Sequence, residues 1–521
     1  AEEGRLVRLH GRLVRRLVGA PSLVAVALVP LVALGWIAYG HVGTGFMPAM
    51  DEGGFIIDYH APPGTSLAET GCLVRQVEAI LQATPDVATY SQRTGANLGN
   101  VELSEANEGD FFVRLKASGR RPIDDVMADL LQQIESKVSG LSVELAQLME
   151  DLIGDLTGVP QPIEIKLSAT DPGVLTAQAD KVAAAIAKVP GVVEVKSGVV
   201  LAGDALDIRV DPAKAALEGV DPDAVTAALD AYLGGTVATQ LPTAYKQVGV
   251  RVWLPPGLRR RDDELPKLPI RAPDGHLFPL GRAAATTAQT GQPQITRDNL
   301  AQIVAVTARI EGRDLGSTVA DVQQLLDRKG LLGPGVTYEL GGLYKQQQIA
   351  FAGLVKVFVA AVAAELILLL FLYERFSVPA IILGASLLST SAVFTALRLT
   401  GIELNITAMM GMTMIIGIGT EMAIFLVSEY RELARRMPAR QALIEASANR
   451  LRPIAMTTLA AIATLLPLAL AIGEGSAMQQ PLAVAIIAGL ILQFPLVLYG
   501  VPAAIGLVDI GPIDDAPPAG D

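Results

Sequence analysis

The stretch Asn405 to Tyr430, NITAMMGMTMIIGIGTEMAIFLVSEY, constrains the fold of this chain more than any other. About twenty of its residues are apolar or small, and at about 1.5 Å of rise per residue a helix of that length crosses about 30 Å of hydrocarbon. Inside it sits Glu421. A carboxylate at that depth costs about 2.5 to 3.5 kcal/mol on insertion scales, so such a group normally faces a bundle interior or a water path and handles protons or ions. The alternative is an acid that snorkels toward headgroups at the cytoplasmic end. Gly411, Gly417 and Gly419 favour the first reading, because small residues let neighbouring helices approach. Met409, Met410, Met412 and Met414 read as adaptable packing rather than as a soft-metal path.

Other apolar runs follow the same logic. Spans are predicted at Leu23 to Tyr39, Ile349 to Tyr373, Val378 to Leu397, Asn405 to Val427, Pro453 to Ile472 and Pro481 to Val508. Six spans put both ends on one side. Arg5, Arg8, Arg12, Arg15 and Arg16 precede the first span, and Arg431, Arg435, Arg436, Arg440, Arg450 and Arg452 share one loop, so both regions are expected in the cytoplasm. That loop also carries a predicted surface helix, Ala439 to Ala448. The sequence opens on Ala with a basic run like the interior of a longer polypeptide, which reads as a fragment.

At 521 residues and 51% hydrophobic content the chain is a membrane protein with a large soluble part. A net charge of −12 excludes a general nucleic-acid binder, and the single cysteine, Cys72, allows neither an internal disulfide nor a structural zinc frame. Between the first and second spans the pattern alternates strand, helix, strand. Phe55 to His60, Leu67 to Gln82 (with Ser66 as N-cap), Val87 to Ser91, Phe111 to Lys116, Ile123 to Val138 and Leu141 to Glu144 form one set. Ile163 to Ser168, Pro172 to Lys188, Val192 to Lys196, Ile303 to Glu311, Ser317 to Arg328 and Val336 to Leu340 form another. The fold class is therefore an α+β integral membrane protein with six transmembrane helices and two ferredoxin-like split βαβ subdomains, the second interrupted by an insertion. The boundaries follow: a basic flank and first span over 1–41, a first subdomain over 42–160, a second over 161–210 and 300–345, an insertion over 211–299, a five-helix bundle over 346–510 and a disordered tail over 511–521.

Candidate functional residues are few. Glu421 leads, and Thr457 and Thr458, one turn into the next span, either bond their own helix carbonyls or join a polar path with it. Lys356 and Glu365 lie nine residues apart on one helix, hence on nearly opposite faces. Glu102, Glu105, Glu108 and Asp110 form an acidic run that is weakly suited to a cation and better read as a solvated loop. No GxxxxGK[ST] loop occurs, so any uphill work must draw on an ion gradient; the four histidines are scattered, and neither a metal site nor a cofactor is predicted.

GTGFMPAMDEGGFIIDYHAPPGTSLAET, from Gly43 to Thr70, and RLRPIAMTTLAAIATLLPLAL, from Arg450 to Leu470, together with the order of spans and βαβ units, resemble the C-terminal half of resistance-nodulation-division (RND) efflux permeases. The resemblance covers nearly the whole chain. It implies a proton-driven exporter in the bacterial inner membrane, with a large periplasmic region of two porter subdomains and a docking subdomain. It also implies an N-terminal half of the same permease, a homotrimer, a periplasmic adaptor and an outer-membrane channel as partners. Thr457 matches the relay threonine of the family and Arg450 a nearby arginine; Glu421 stands where some metal exporters have Glu and drug exporters have Lys. The essential aspartates of the family belong to the N-terminal half. MPAMDEG is similar to the metal branch and PPGTSLAET to the drug branch. Copper and silver exporters use methionines in the porter cleft, and none occurs between Met149 and Met409, so no tight copper(I) or silver site is expected in the external region. A transport-inactive membrane-anchored docking protein is the other reading, against which stand the polar groups in the bundle.

Overall fold

The structure, a computed structural model, describes residues 5–48, 50–95, 105–157, 161–199, 205–259, 263–289, 295–473 and 475–508. It opens with α1 (Arg5–Gly19), an amphipathic helix where a bare basic flank was expected. Val14 and His10 face inward while Arg12 and Arg15 face out. Pro21 then starts α2 (Ser22–Tyr39), which is apolar on every side and largely uncovered by the rest of the chain.

The first βαβ unit comprises β1 (Gly54–His60), α3 (Leu67–Ala83), β2 (Val87–Thr94), β3 (Glu108–Leu115), α4 (Ile123–Lys137) and β4 (Ser142–Gln147). Its strand order, β2-β3-β1-β4 with every neighbour antiparallel, is that of a split βαβ sheet. Alternation decides the faces: Phe55, Ile57 and Tyr59 bury against Val77, Leu81 and Ile134 of the two helices, which leaves Asp58 on the other face. Ser66 caps α3, its hydroxyl accepting from the Glu69 N–H at 3.3 Å. A further helix that the periodicity did not reveal, α5 (Leu148–Thr157), follows β4 directly.

A second unit of the same plan opens with β5 (Ile163–Ser168), α6 (Pro172–Ile186) and β6 (Val192–Lys196). The insertion holds β7 (Ala205–Val210), α7 (Pro212–Leu217), α8 (Pro222–Leu233), β8 (Thr236–Pro242), β9 (Gln247–Val252), α9 (Pro256–Arg259), β10 (Pro269–Arg271), β11 (Leu277–Pro279) and β12 (Ala284–Gln289). Then β13 (Thr296–Asp298), β14 (Ala301–Ile310), α10 (Leu315–Leu326) and β15 (Thr337–Leu340) complete the sheet, in which β14 lies between β6 and β5 and β15 flanks β5. Because β7 pairs with β12, the inserted sheet begins before residue 211, and β13 belongs to the second unit rather than to the insertion. Every residue of the β8–β9 hairpin is exposed.

The bundle consists of α11 (Gly342–Tyr373), α12 (Ser377–Thr400), α13 (Ile406–Ala434), α14 (Ala439–Ala469), α15 (Gln480–Pro495) and, after a π-helical turn, α16 (Val501–Leu507). Among the described residues, six helices are long and apolar enough to cross a membrane. Two expectations change. First, α11 starts at Gly342 rather than Ile349, so only Gly341 separates β15 from a membrane helix. Gly342 adopts φ +72° where a Cβ would lie 2.7 Å from the Gln161 and Pro162 carbonyls, a position only glycine fits. Second, the surface helix at Ala439 and the span at Pro453 are one helix, α14; Pro453 removes one N–H, which flanking helix contacts tolerate.

Candidate functional site

On α13 the buried residues Gly411, Ile415, Gly419, Met422 and Leu426 alternate with an exposed stripe, Met410, Met414, Gly417, Glu421, Phe425 and Ser428. The stripe recurs at helical spacing, so it is one face. Glu421 stands in its middle, uncovered by the other helices of this chain. The Thr458 hydroxyl contacts Met422 Sδ at 3.9 Å, which sets the level at which α13 and α14 cross. One residue before each partner, Glu421 and Thr457 both remain exposed. Thr457 donates to its own helix carbonyls, Pro453 at 3.2 Å and Ile454 at 3.1 Å, rather than to the acid.

Arg450 goes elsewhere. Its guanidinium donates to Glu429 Oε2 at 2.9 Å, and Asn449 donates to the other oxygen of that carboxylate at 2.9 Å. Eight residues along a helix place Glu429 about 12 Å from Glu421. Lys356 is exposed on α11, while Glu365 is half-buried and turns toward the Thr420 hydroxyl of α13. The residues read as a relay therefore occupy three separate places: Glu421 and Thr457 on the open face, Arg450 at the end of the bundle, and Glu365 inside it.

A second concentration of charge lies on the sheet of the first unit. Arg93, Asp110, Asp58 and Glu144 stand in register on β2, β3, β1 and β4, one rung across four strands on the face away from the helices. Arg93 forks onto Asp110 at 2.8 and 2.5 Å. The second unit supplies counter-charges: Lys196 reaches Glu144 at 2.8 Å, and Arg309 reaches Glu150 at 3.3 Å. Glu194 also belongs here; burial holds its carboxyl above the usual range, with Arg309 opposing, and its φ of +48° is a left-handed backbone that non-glycine residues seldom adopt. Nothing in the run VVEVK signals that conformation.

The acidic run is dispersed by this geometry. Glu102 lies outside the described residues. The Glu105 N–H donates to Glu108 Oε1 at 2.6 Å, His60 stands 3.6 Å from Glu108, and Asp110 is held by Arg93. Among the described residues no group of three or more His, Cys, Asp or Glu is arranged to hold a metal ion. Met47, Met50 and Met149, all outside the methionine-free stretch 150–408, line one cavity of about 540 Å³ together with Glu52, Glu150 and Glu403, at the junction of the βαβ units and the bundle. Burial raises the carboxyls of Glu52 and Glu403. Sequence separation hides that cavity, since its methionines lie at two ends of the first unit and Glu403 follows α12.

Residues 4–509 match the model of the AcrB/AcrD/AcrF family. The chain is similar to the cobalt-zinc-cadmium resistance protein CzcA of Cupriavidus metallidurans, at 27% identity over 458 residues, which are 86% of this chain and 43% of that protein. The nickel and cobalt resistance protein CnrA of the same organism is 28% identical, covering 84% of this chain and 42% of that one. The cation efflux system protein CusA of Escherichia coli is 23% identical, covering 89% and 46%. The chain thus spans somewhat less than half the length of these curated relatives. An X-ray crystal structure of a heavy metal efflux pump shares the fold with a TM-score of 0.75 at 24% identity, over 96% of this chain and 52% of that one. With a matched region that takes in both βαβ units and the whole bundle, the chain belongs to the AcrB/AcrD/AcrF family of RND efflux permeases.

Proposed function

We propose that this chain is the C-terminal half of a proton-driven permease that exports metal cations across the envelope. The carrying observation is the exposed stripe of α13. A membrane-facing carboxylate needs a partner, and a stripe with Glu421 at its centre is suited to a second half that brings acids of its own. Proton binding at Glu421 then changes the charge between the halves, and that change biases their packing. Thr457 lies close enough in level to join the path, and Arg450 through Glu429 fixes the end of α13 against α14.

The cation reading rests on the acidic rung Asp110, Asp58, Glu144 in the cleft between the βαβ units, and on relatives named for cobalt, zinc, cadmium and nickel. Oxygen ligands suit hard and borderline ions, and the bridges from Lys196 and Arg309 give the cleft a closed arrangement that an entering cation would compete with. Around this core we place the family's other parts: the βαβ units in the periplasm as porter subdomains, the insertion as a docking subdomain, a homotrimer in the inner membrane, and an adaptor and outer-membrane channel beyond.

The test is Glu421→Gln in the complete permease. This substitution keeps shape and hydrogen bonding but cannot exchange a proton. Zinc or cobalt tolerance of cells carrying the complete permease with its adaptor and channel should vanish, with expression and trimer assembly unchanged; Glu365→Gln should act more mildly. Near wild-type tolerance with Glu421→Gln would defeat the proposal.

A further inference from the structure

Behind Glu421, on the covered side of α13, four helices meet around a second polar group. Gln493 of α15 is fully buried, and neither its amide oxygen nor its amide nitrogen has a hydrogen-bond partner. The amide lies over Gly419, where a Cβ would stand 2.6 Å from both Cδ and Nε2 of Gln493 and 2.9 Å from Ser386 Oγ. Ser386, fully buried on α12, lies 3.3 Å from the hydroxyl of Thr420, and Thr420 faces the carboxyl of Glu365 on α11. Gln493, Ser386, Thr420 and Glu365 thus form one line through the bundle, with glycine at 419 leaving the room for it.

We propose that these four residues are a second proton-carrying site, internal to this bundle, in which Glu365 takes a proton from water and returns it while the other three reverse their hydrogen bonds to follow. The donor and acceptor inventory permits both polarities. With Glu365 ionised, Thr420 donates to the carboxylate, Ser386 donates to Thr420, and the Gln493 amide N–H turns to Ser386. With Glu365 protonated, the acid O–H donates to Thr420, Thr420 donates to Ser386, and Ser386 turns to the amide oxygen of Gln493. A side-chain amide carries both a donor and an acceptor, so Gln493, whose two polar atoms have no other partner, can end the line either way. Only the O–H bond of Glu365 forms and breaks.

Among the described residues, the other titratable groups of α11 are Tyr344, Lys345, Lys356 and Tyr373; α12 has Arg398; α13 has Glu421, Glu429, Tyr430, Arg431 and Glu432; α15 has none; and α14, which packs against α13 and α15, has Arg440, Glu445, Arg450 and Arg452. The inference deepens the proton-coupled reading but concerns a different residue from Glu421, so the two can fail separately.

The experiment is infrared difference spectroscopy of the full chain in lipid nanodiscs, titrated from acid to alkaline pH. A protonated-carboxyl C=O band should disappear on raising the pH, be absent in Glu365→Gln, shift but persist in Glu365→Asp, and remain in Glu421→Gln. Thr420→Val and Gln493→Leu, with Ser386→Ala in place of either that does not fold, should move the band and shift its midpoint by about one pH unit, a tenfold change in proton affinity. Loss of that band in Glu421→Gln rather than Glu365→Gln would overturn the assignment. So would an unmoved band in the Thr420 and Gln493 variants, which marks simple helix packing, or a pH midpoint that shifts with sodium concentration, which marks a cation site.

Discussion

At the scale of single residues, environment decides role more than residue type does. Glu421 and Glu365 are both acids in membrane helices, yet one faces outward from this chain and the other meets Thr420 inside it. Gly109 shows how little latitude a residue can have: a Cβ there would collide with the Arg93 carbonyl and the Tyr59 hydroxyl. Gly109→Ala should therefore destabilise the first βαβ unit by about 1 to 3 kcal/mol, the range for overpacking a filled site, read as a lowered unfolding midpoint of the purified protein. His276 is a second case. Its Nδ1 lies 2.6 Å from Asp274 and its Nε2 3.2 Å from Glu218, and these carboxylates raise its pKa above the ordinary value. A raised histidine contributes stability that is full below about 6.5 and is lost as pH rises through the folded value. Hydrogen-exchange protection over 205–259 and 263–289 should fall as pH rises from about 6.5 through the raised folded value, and His276→Gln should flatten that fall; an equal fall in the variant would show the clamp to be idle.

Among elements, the tightest contact of the bundle is that of α13 with α15. Gly411 lies against Leu482 and Ala485, Gly489 lies against the Ile415 side chain, and Gly419 lies under Gln493. In lipid, packing rather than water exclusion drives association, so small residues at this crossing set the approach. Gly489→Leu should force the two helices apart and yield protein that aggregates on extraction in mild detergent, whereas Gly417→Leu, with open space beside it, should extract normally. Size-exclusion profiles of the two variants make the comparison. The joint between β15 and α11 is equally tight, since Gly341 and Gly342 leave no linker to absorb a displacement between sheet and membrane helix.

For the whole molecule, the two βαβ units are clamped across their cleft by Lys196 to Glu144 and Arg309 to Glu150. If transport requires that cleft to open, bridging Glu144→Cys and Lys196→Cys with a short bis-maleimide in the complete permease should stop efflux, while either single variant treated alike should retain it. Continued export by the bridged protein would show that the cleft stays closed throughout the cycle.

The amino-acid order by itself determined the six apolar spans, the alternating units and the capping of α3 by Ser66, because each is written in periodicity over adjacent residues. It also singled out Glu421, since an acid within an apolar run is a local anomaly. Other features depended on pairs far apart in the chain. The rung of Arg93, Asp110, Asp58 and Glu144 needs the register of four strands, the partnership of Arg450 with Glu429 needs the crossing of α13 and α14, and Gln493 meets Ser386 over Gly419 only once three helices pack. Side-chain direction in a strand or helix is local and readable; which distant side chain stands opposite is set by the packing of whole elements, and only the tertiary structure decides it.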